Sequence, residues 1–172
     1  MRRDDTPRSS PHDRCDDPDR DARLDAHLDG GATEARFEQI VDLDASIEAA
    51  WDAISDPSEL ANWLGPVVEL DLRPGGRGRV VDDDGTIRQL VITDVRAGEQ
   101  VAWHWWSDAG ELSSVELRLD RHDGHTRLHI IETTLLPSAT PDVVRAHVHG
   151  CGRRWSAATS RLWCRVGTVA FA

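Results

Sequence analysis

Four of the seven tryptophans in this chain are spaced so that their rings could hold a small flat molecule. Trp103 and Trp105 lie two residues apart on a predicted strand, so both side chains point to the same face of the sheet. Trp155, on the last predicted helix, would face them, and Trp63 would lie near the mouth of a cavity. Large rings also fill solid cores, and the sequence leaves both interpretations open.

The apolar residues that could complete such a cavity lie on a neighbouring strand and on the last helix. The helical ones recur at the three- and four-residue spacing of one helix face. The predicted ligand-binding set is Trp63, Trp103, Trp105, Leu117, Val144, Val148, Cys151 and Trp155.

Catalysis would need a positioned polar side chain inside the same cavity. The side chains that could reach inward are those of Arg88, Glu116, His129, Glu132 and His147. A buried arginine could bind a ligand carboxylate through two hydrogen bonds. No histidine or aspartate partner for Cys151 is evident nearby in the sequence, which favours a core thiol over a nucleophile. The sequence therefore assigns no catalytic residue and favours a binding domain over an enzyme.

The eight histidines do not form a predicted metal site. His147 and His149 point to different sides of a helix, and His125 and His129 stand about 13 Å apart on a strand. The Asp82–Asp84 hairpin tip lacks the remaining ligands of a calcium loop, so a solvated turn is favoured. We predict neither a metal nor a cofactor.

The charge and cysteine content restrict the partners and the compartment. The net charge is −11, which argues against binding nucleic acid or an acidic membrane surface. The odd number of cysteines predicts reduced thiols, and no signal peptide is evident, so we predict a cytoplasmic protein. All 20 basic residues are arginine, which is typical of a GC-rich bacterial genome.

The elements that would position these side chains follow a short acidic segment. Residues 1–33 have almost no large apolar groups, which predicts a disordered tail, and residues 34–172 form one domain. In that domain we predict a strand, two short helices, six strands joined by turns, and a helix of about 25 residues that begins at Thr140-Pro141. The six strands are Val67–Leu72, Gly76–Val81, Ile87–Val95, Gln100–Trp106, Ser113–Arg121 and Thr126–Thr134.

This order predicts an α+β fold in which the long helix buries its apolar face against a curled antiparallel sheet of about seven strands. Three segments carry a resemblance to a known family: the run from Val41 to Pro57, Trp63-Leu64-Gly65-Pro66, and Arg73-Pro74-Gly75-Gly76. Two later strands add to it, Glu99 to Trp105 and Gly124 to Leu128. Together these motifs resemble START-like (SRPBCC) domains, in the branch similar to the C-terminal domain of the heat-shock-protein-90 ATPase activator.

The resemblance covers about residues 35–166 and implies a helix-grip fold, which is α+β with the order β-α-α-β6-α. It also implies binding of a small hydrophobic ligand, lipid-, polyketide- or aromatic-like, between the sheet and the last helix. Two alternatives stay open: an enzyme of the polyketide cyclase or hydrolase kind, and a chaperone-associated interaction domain. An exposed Trp106 could mark a homodimer contact. The chain departs from the family at Arg154-Trp155, where relatives often have Gly-Trp.

Overall fold

The computed structural model describes residues 22–29, 32–137 and 140–166. Its elements in chain order are β1 (Ala22–Asp29), β2 (Ala32–Leu43), α1 (Ile47–Ser55), α2 (Pro57–Leu60), β3 (Val67–Leu70), β4 (Arg77–Val81), β5 (Ile87–Arg96), β6 (Gln100–Ser107), β7 (Leu112–His122), β8 (His125–Pro137) and α3 (Pro141–Val166). The predicted α+β helix-grip fold is confirmed: a curled antiparallel sheet with a long C-terminal helix.

The described strands form one sheet in the order β1-β2-β8-β7-β6-β5-β4-β3. The six strands predicted after Gly65 are all present, and each pairs with its neighbour in the chain because the links between them are short turns. At the β7–β8 turn, Asp123 and Gly124 have φ values of 47° and 85°. Two successive positive φ values are what the tightest right-twisted hairpins require, and an Asp-Gly pair meets that requirement at low cost.

Strand β1 departs from the prediction of a disordered tail up to residue 33. Ala22–Asp29 pairs antiparallel with β2, from Ala22 beside Gln39 to Asp29 beside Ala32. The edge of β2 offers unpaired backbone N–H and C=O groups, which any extended segment can satisfy whatever its composition. Residues 1–21 lie outside the described residues, so the prediction for them stays a prediction.

Each of the two short helices begins at a residue whose side chain caps it. The Ser46 hydroxyl accepts a hydrogen bond from the Ala49 amide, and the Asp56 carboxylate accepts from the amides of Ser58 and Glu59. Helix α2 ends at Leu60, so Trp63 lies in the turn that follows it. Its indole N–H donates to the Ala53 carbonyl oxygen at 2.8 Å, which joins this turn to α1.

Helix α3 lies against the sheet through one apolar face. Cys151, Trp155, Ala158 and Leu162 belong to the main core with residues of the sheet and of α1. The helix runs through both of its inner glycines, and they have different surroundings. A Cβ at Gly152 would lie 3.5 Å from the Phe37 ring, whereas a Cβ at Gly150 would meet no atom beyond the helix backbone within 4 Å. No described helix is long and apolar enough to cross a membrane.

Candidate functional site

The predicted tryptophan cluster forms at the centre of the core. The Trp105 and Trp155 rings stack with centroids 5.8 Å apart, and the Trp103 ring meets Trp105 edge-on at 5.8 Å. Trp63 lies 6.5 Å from Trp155 in a tilted arrangement. All four side chains are buried. The rings therefore contact one another, and they join the sheet (β6) to α3.

The remaining residues of the predicted ligand-binding set are also buried, but in two separate clusters. Leu117 and Cys151 belong to the main core with the tryptophans. Val144 and Val148 pack with Ala35 and Leu136 in a smaller cluster near the start of α3. Whether these eight residues contact a ligand stays a prediction.

A pocket of about 480 Å³ opens beside the tryptophan cluster, between α3 and the β4–β5 hairpin. Of the predicted set, only Cys151 lines it, and most of its other lining residues are polar or charged. The lining residues are Leu64, Asp82, Asp83, Asp84, Arg88, Glu111, Ala146, His147, Gly150, Cys151, Arg153, Arg154, Ala157 and Arg161. Its volume lies within the range of small-molecule sites, and its polar lining differs from the apolar cavity expected from the sequence.

A buried carboxylate joins the tryptophans to this pocket. Glu132, on β8, is 1% exposed and accepts hydrogen bonds from the indole N–H groups of Trp105 at 3.1 Å and Trp155 at 2.7 Å. Arg154 donates to the second carboxylate oxygen. Burial alone would raise the pKa of Glu132, but the Arg154 charge and the indole hydrogen bonds outweigh it, so the pKa lies below its ordinary value. Glu132 is therefore an anion at neutral pH.

Two guanidinium groups lie against the Trp105 ring at the floor of the pocket. The guanidinium carbon of Arg154 is 4.9 Å from the ring centroid, and that of Arg88 is 5.1 Å from it. Each contact has the geometry of a cation–π interaction. Arg88 also donates from Nε to the Asp82 carboxylate at 2.8 Å, with both side chains nearly buried. The Asp82 side chain is thus largely buried, whereas Asp83 and Asp84 at the hairpin tip are exposed, as expected of a solvated turn.

Arg161 holds the rim of the pocket together. Its Nε and Nη2 donate to the Trp63 carbonyl oxygen at 3.1 and 2.8 Å, and its Nη1 donates to Asp83 at 2.7 Å. One side chain from α3 therefore connects the turn after α2 with the tip of the β4–β5 hairpin. These contacts fix the width of the opening.

Cys151 and His147 lie one helical turn apart, which provides the partner that the sequence analysis did not find. The Cys151 sulfur is 3.4 Å from His147 Nε2, and His147 Nδ1 is 3.5 Å from a Glu111 oxygen. In a catalytic triad the thiol would be the nucleophile, the imidazole the base and the carboxylate the group that orients the base. However, burial and the nearby Glu132 charge raise the pKa of Cys151 to about 12, so the group is a thiol at neutral pH. The thiol state counts against a nucleophile and agrees with the predicted core thiol.

We expect Cys151 to resist alkylation in the folded protein, whereas the exposed Cys164 reacts. A thiol with a pKa of about 12 has almost no thiolate at pH 8, and it is 3% exposed. Iodoacetamide labelling followed by peptide mass spectrometry measures both sites at once. Equal labelling in urea is the control, and equal labelling without urea would contradict the burial of Cys151.

The other polar candidates separate into two groups. Arg88, His147 and Glu132 lie at the pocket or directly beneath it. His129 pairs with Asp120 at 3.2 Å and Glu116 pairs with Arg118, both away from the pocket. Among the described residues, no group of three or more histidine, cysteine or acidic side chains is placed to hold a metal ion.

The sequence analysis did not select Arg154 and Arg161, which define the floor and rim of the pocket. The sequence nevertheless contains a pattern that indicates these two arginines. The pocket-facing positions of α3 recur at three- and four-residue spacing beside the apolar stripe: His147, Gly150, Arg154, Ala157 and Arg161. A polar stripe on a helix ordinarily faces solvent, so only the neighbouring hairpin identifies it as the wall of a pocket.

The fold is that of the START-like, or SRPBCC, class. Residues 44–162 match the family described as Activator of Hsp90 ATPase homolog 1-like protein, and the chain belongs to this family. The resemblance found in the motifs is therefore confirmed. No curated protein matches the sequence.

Solved structures similar to this chain share its fold. DynU16, a protein in the dynemicin biosynthetic locus, has a TM-score of 0.64 and 21% identity over 77% of this chain and 47% of that chain, so the chain spans about half its length. A Staphylococcus aureus protein of unknown function has a TM-score of 0.70 and 12% identity, covering 82% of this chain and 98% of that one.

The Aha1 dimer from Colwellia psychrerythraea has a TM-score of 0.62 and 14% identity, covering 77% of this chain and 96% of that chain. At these identities the similarity shows the fold and not the activity. The dimer is a property of that protein. In this chain Trp106 is 38% exposed and pairs across the sheet with the exposed Leu112, and a dimer contact there stays a prediction.

Proposed function

We propose that this domain binds a small organic ligand in the pocket between α3 and the β4–β5 hairpin. The observation that carries the proposal is the pocket itself: about 480 Å³ of space beside a buried tryptophan cluster, with two guanidinium groups over the Trp105 ring. A concave site with a few convergent polar groups is the usual form of a small-molecule site. The ligand has an apolar body, as predicted from the sequence, and also a polar group that meets the charged floor.

The apolar part of this ligand would contact the uncharged lining residues. Leu64 lies on one side of the pocket, and Ala146, Gly150 and Ala157 lie along α3 on the other. These small side chains leave room next to the helix, and the absence of a side chain at Gly150 leaves open space there. A planar ring system could lie along this wall with its polar group toward Arg88.

Neither Cys151 nor Glu132, two buried ionisable side chains next to the pocket, supports catalysis. The Cys151 thiol is protonated at neutral pH, and Glu132 is ionised and accepts three hydrogen bonds, so neither is ready to donate or abstract a proton. An enzyme of the cyclase or hydrolase kind would need a general acid or base of suitable pKa in contact with the ligand.

Filling the pocket at Gly150 tests this proposal. We expect Gly150→Leu to abolish retention of small ring compounds, because the new side chain occupies the open space beside the helix. Native mass spectrometry of the full chain with 1-naphthoate, 1-naphthamide or 1-naphthylmethylammonium measures retention.

The matched control is Gly150→Ala, which removes the same glycine but adds a single carbon. Both variants should fold, since replacing a glycine inside a helix by alanine stabilises it by about 1 kcal/mol and leucine is nearly as favourable. Retention by wild type and Gly150→Ala but not by Gly150→Leu supports the pocket. Retention by Gly150→Leu at the wild-type level would place the binding elsewhere.

A further inference from the structure

The arginines at the pocket have hydrogen-bond donors that the described residues do not use. Arg88 is 9% exposed, yet only its Nε has a hydrogen-bond partner in the part of the chain that the structure describes. Arg154 Nε is buried and has no partner there. Arg153, an exposed residue at the pocket lining, makes no hydrogen bond or ion pair with the described residues either. A nearly buried guanidinium with unused N–H groups is costly unless an acceptor completes it.

The acidic side chains around the same pocket are mostly engaged already. Asp82 accepts from Arg88, Asp83 from Arg161, and Asp84 from the Thr86 amide. Glu111 lies 3.5 Å from His147, and beneath the floor Glu132 accepts from Arg154. One buried acceptor, Asp82 Oδ1, has no partner among the described residues. The pocket therefore has an excess of unused donors over unused acceptors, although its formal charges balance.

We propose that the ligand carries a carboxylate on a ring system, and that Arg88 binds this carboxylate with Arg154 beside it. This inference rests on the proposed function and names the class of ligand for the same pocket. A guanidinium presents two parallel N–H groups that match the two oxygens of a carboxylate. The Trp105 ring contacts both guanidinium groups, which helps to hold Arg88 and Arg154 in place beside the pocket.

The test compares three probes with the same ring and different charge, using isothermal titration calorimetry on the full chain at pH 7. The probes are 1-naphthoate, the neutral 1-naphthamide and the cationic 1-naphthylmethylammonium. We expect 1-naphthoate to bind at least about tenfold more tightly than 1-naphthamide, because charge-assisted hydrogen bonds are about twice as strong as neutral ones. The cationic probe should bind most weakly.

Substitution of Arg88 tests whether this residue causes the preference for 1-naphthoate over 1-naphthamide. We expect Arg88→Gln to reduce the ratio between 1-naphthoate and 1-naphthamide to about twofold or less. Because this variant leaves Asp82 buried without its partner, Asp82→Asn/Arg88→Gln removes both charges together and keeps the test valid if the single variant unfolds. Arg121→Gln, at an exposed site, changes the net charge by the same amount as Arg88→Gln and should keep the wild-type ratio.

The outcomes separate this inference from the proposed function. If 1-naphthoate and 1-naphthamide bind equally to wild type and Gly150→Leu abolishes both, the pocket binds ligands but the carboxylate preference is wrong. A preference that persists in Asp82→Asn/Arg88→Gln would also overturn the inference. If none of the three probes binds, both proposals fail together.

Discussion

Glu132→Gln is expected to destabilise the domain by about 3–5 kcal/mol, the cost of breaking a buried ion pair by removing one partner. The substitution removes the charge that balances Arg154, whose guanidinium lies against the Trp105 ring beside the core. It also weakens the acceptor for the buried indole groups of Trp105 and Trp155. Urea unfolding followed by circular dichroism measures the change in the free energy of unfolding.

A double substitution separates the loss of the charge that balances Arg154 from the loss of a strong acceptor for the two indole groups. Glu132→Gln/Arg154→Met removes both charges and keeps similar side-chain sizes, so it should recover most of the stability lost in Glu132→Gln. If the double variant is as unstable as the single one, the carboxylate stabilises the core through the tryptophans and not through Arg154.

The lowered pKa of Glu132 also predicts how the stability of the domain changes with pH. The folded-state pKa of Glu132 lies below its ordinary value of 4.5, so the unfolded chain takes up a proton first as the pH falls. Its stabilising contribution is complete above the unfolded pKa and is lost as the pH falls through the lower folded pKa. The difference in stability between wild type and Glu132→Gln should therefore be largest near neutral pH and should narrow below about pH 4.5. A difference that stays constant down to pH 3 would contradict the lowered pKa.

Trp105→Ala is expected to cost about 3–5 kcal/mol, which is the usual range for removing a buried aromatic ring. The ring is fully buried, contacts Trp103 and Trp155, and lies beneath both pocket arginines. Its removal opens a space in the core and leaves Arg88 and Arg154 without their support. The midpoint of urea unfolding gives the change, and Trp105→Phe should show a smaller loss because it retains a ring.

The neighbouring tryptophan provides the matched control. Trp106 follows Trp105 on the same strand, points to the opposite face and is 38% exposed. Its replacement by alanine should change stability by about 1 kcal/mol or less, as for most surface positions. Similar losses in both variants would mean that the two faces of β6 are equally packed, against the observed burial.

Much of the fold is predictable because local patterns determine it. Alternation along β6 places Trp103 and Trp105 inside and Trp106 outside, since successive side chains of a strand point to opposite faces. The Asp123-Gly124 pair specifies a tight hairpin, because few other residues adopt two successive positive φ values. The order of the elements and the six consecutive hairpin strands follow from signals of this kind. The family assignment rests on the same motifs and is confirmed.

Strand β1 shows where composition misleads. Among its eight residues only Leu24 and Leu28 are large and apolar, and the sequence analysis placed this segment in a disordered tail. The strand forms by backbone pairing with the edge of β2, an interaction that any extended chain can make. Whether a partner edge lies within reach depends on the rest of the sheet and not on the segment itself.

What the sequence by itself determined is the class of fold, the order of its elements and the faces of β6 on which Trp103, Trp105 and Trp106 lie. What only the tertiary structure decided is which polar groups meet. Glu132 accepts from Trp155, which lies 23 residues away on another element, and Arg161 donates to Trp63 across 98 residues. These contacts depend on the angle and depth at which α3 lies across the sheet, which many packed side chains set together. For this reason the charged pocket and its arginines emerged only when helix, hairpin and sheet were brought together.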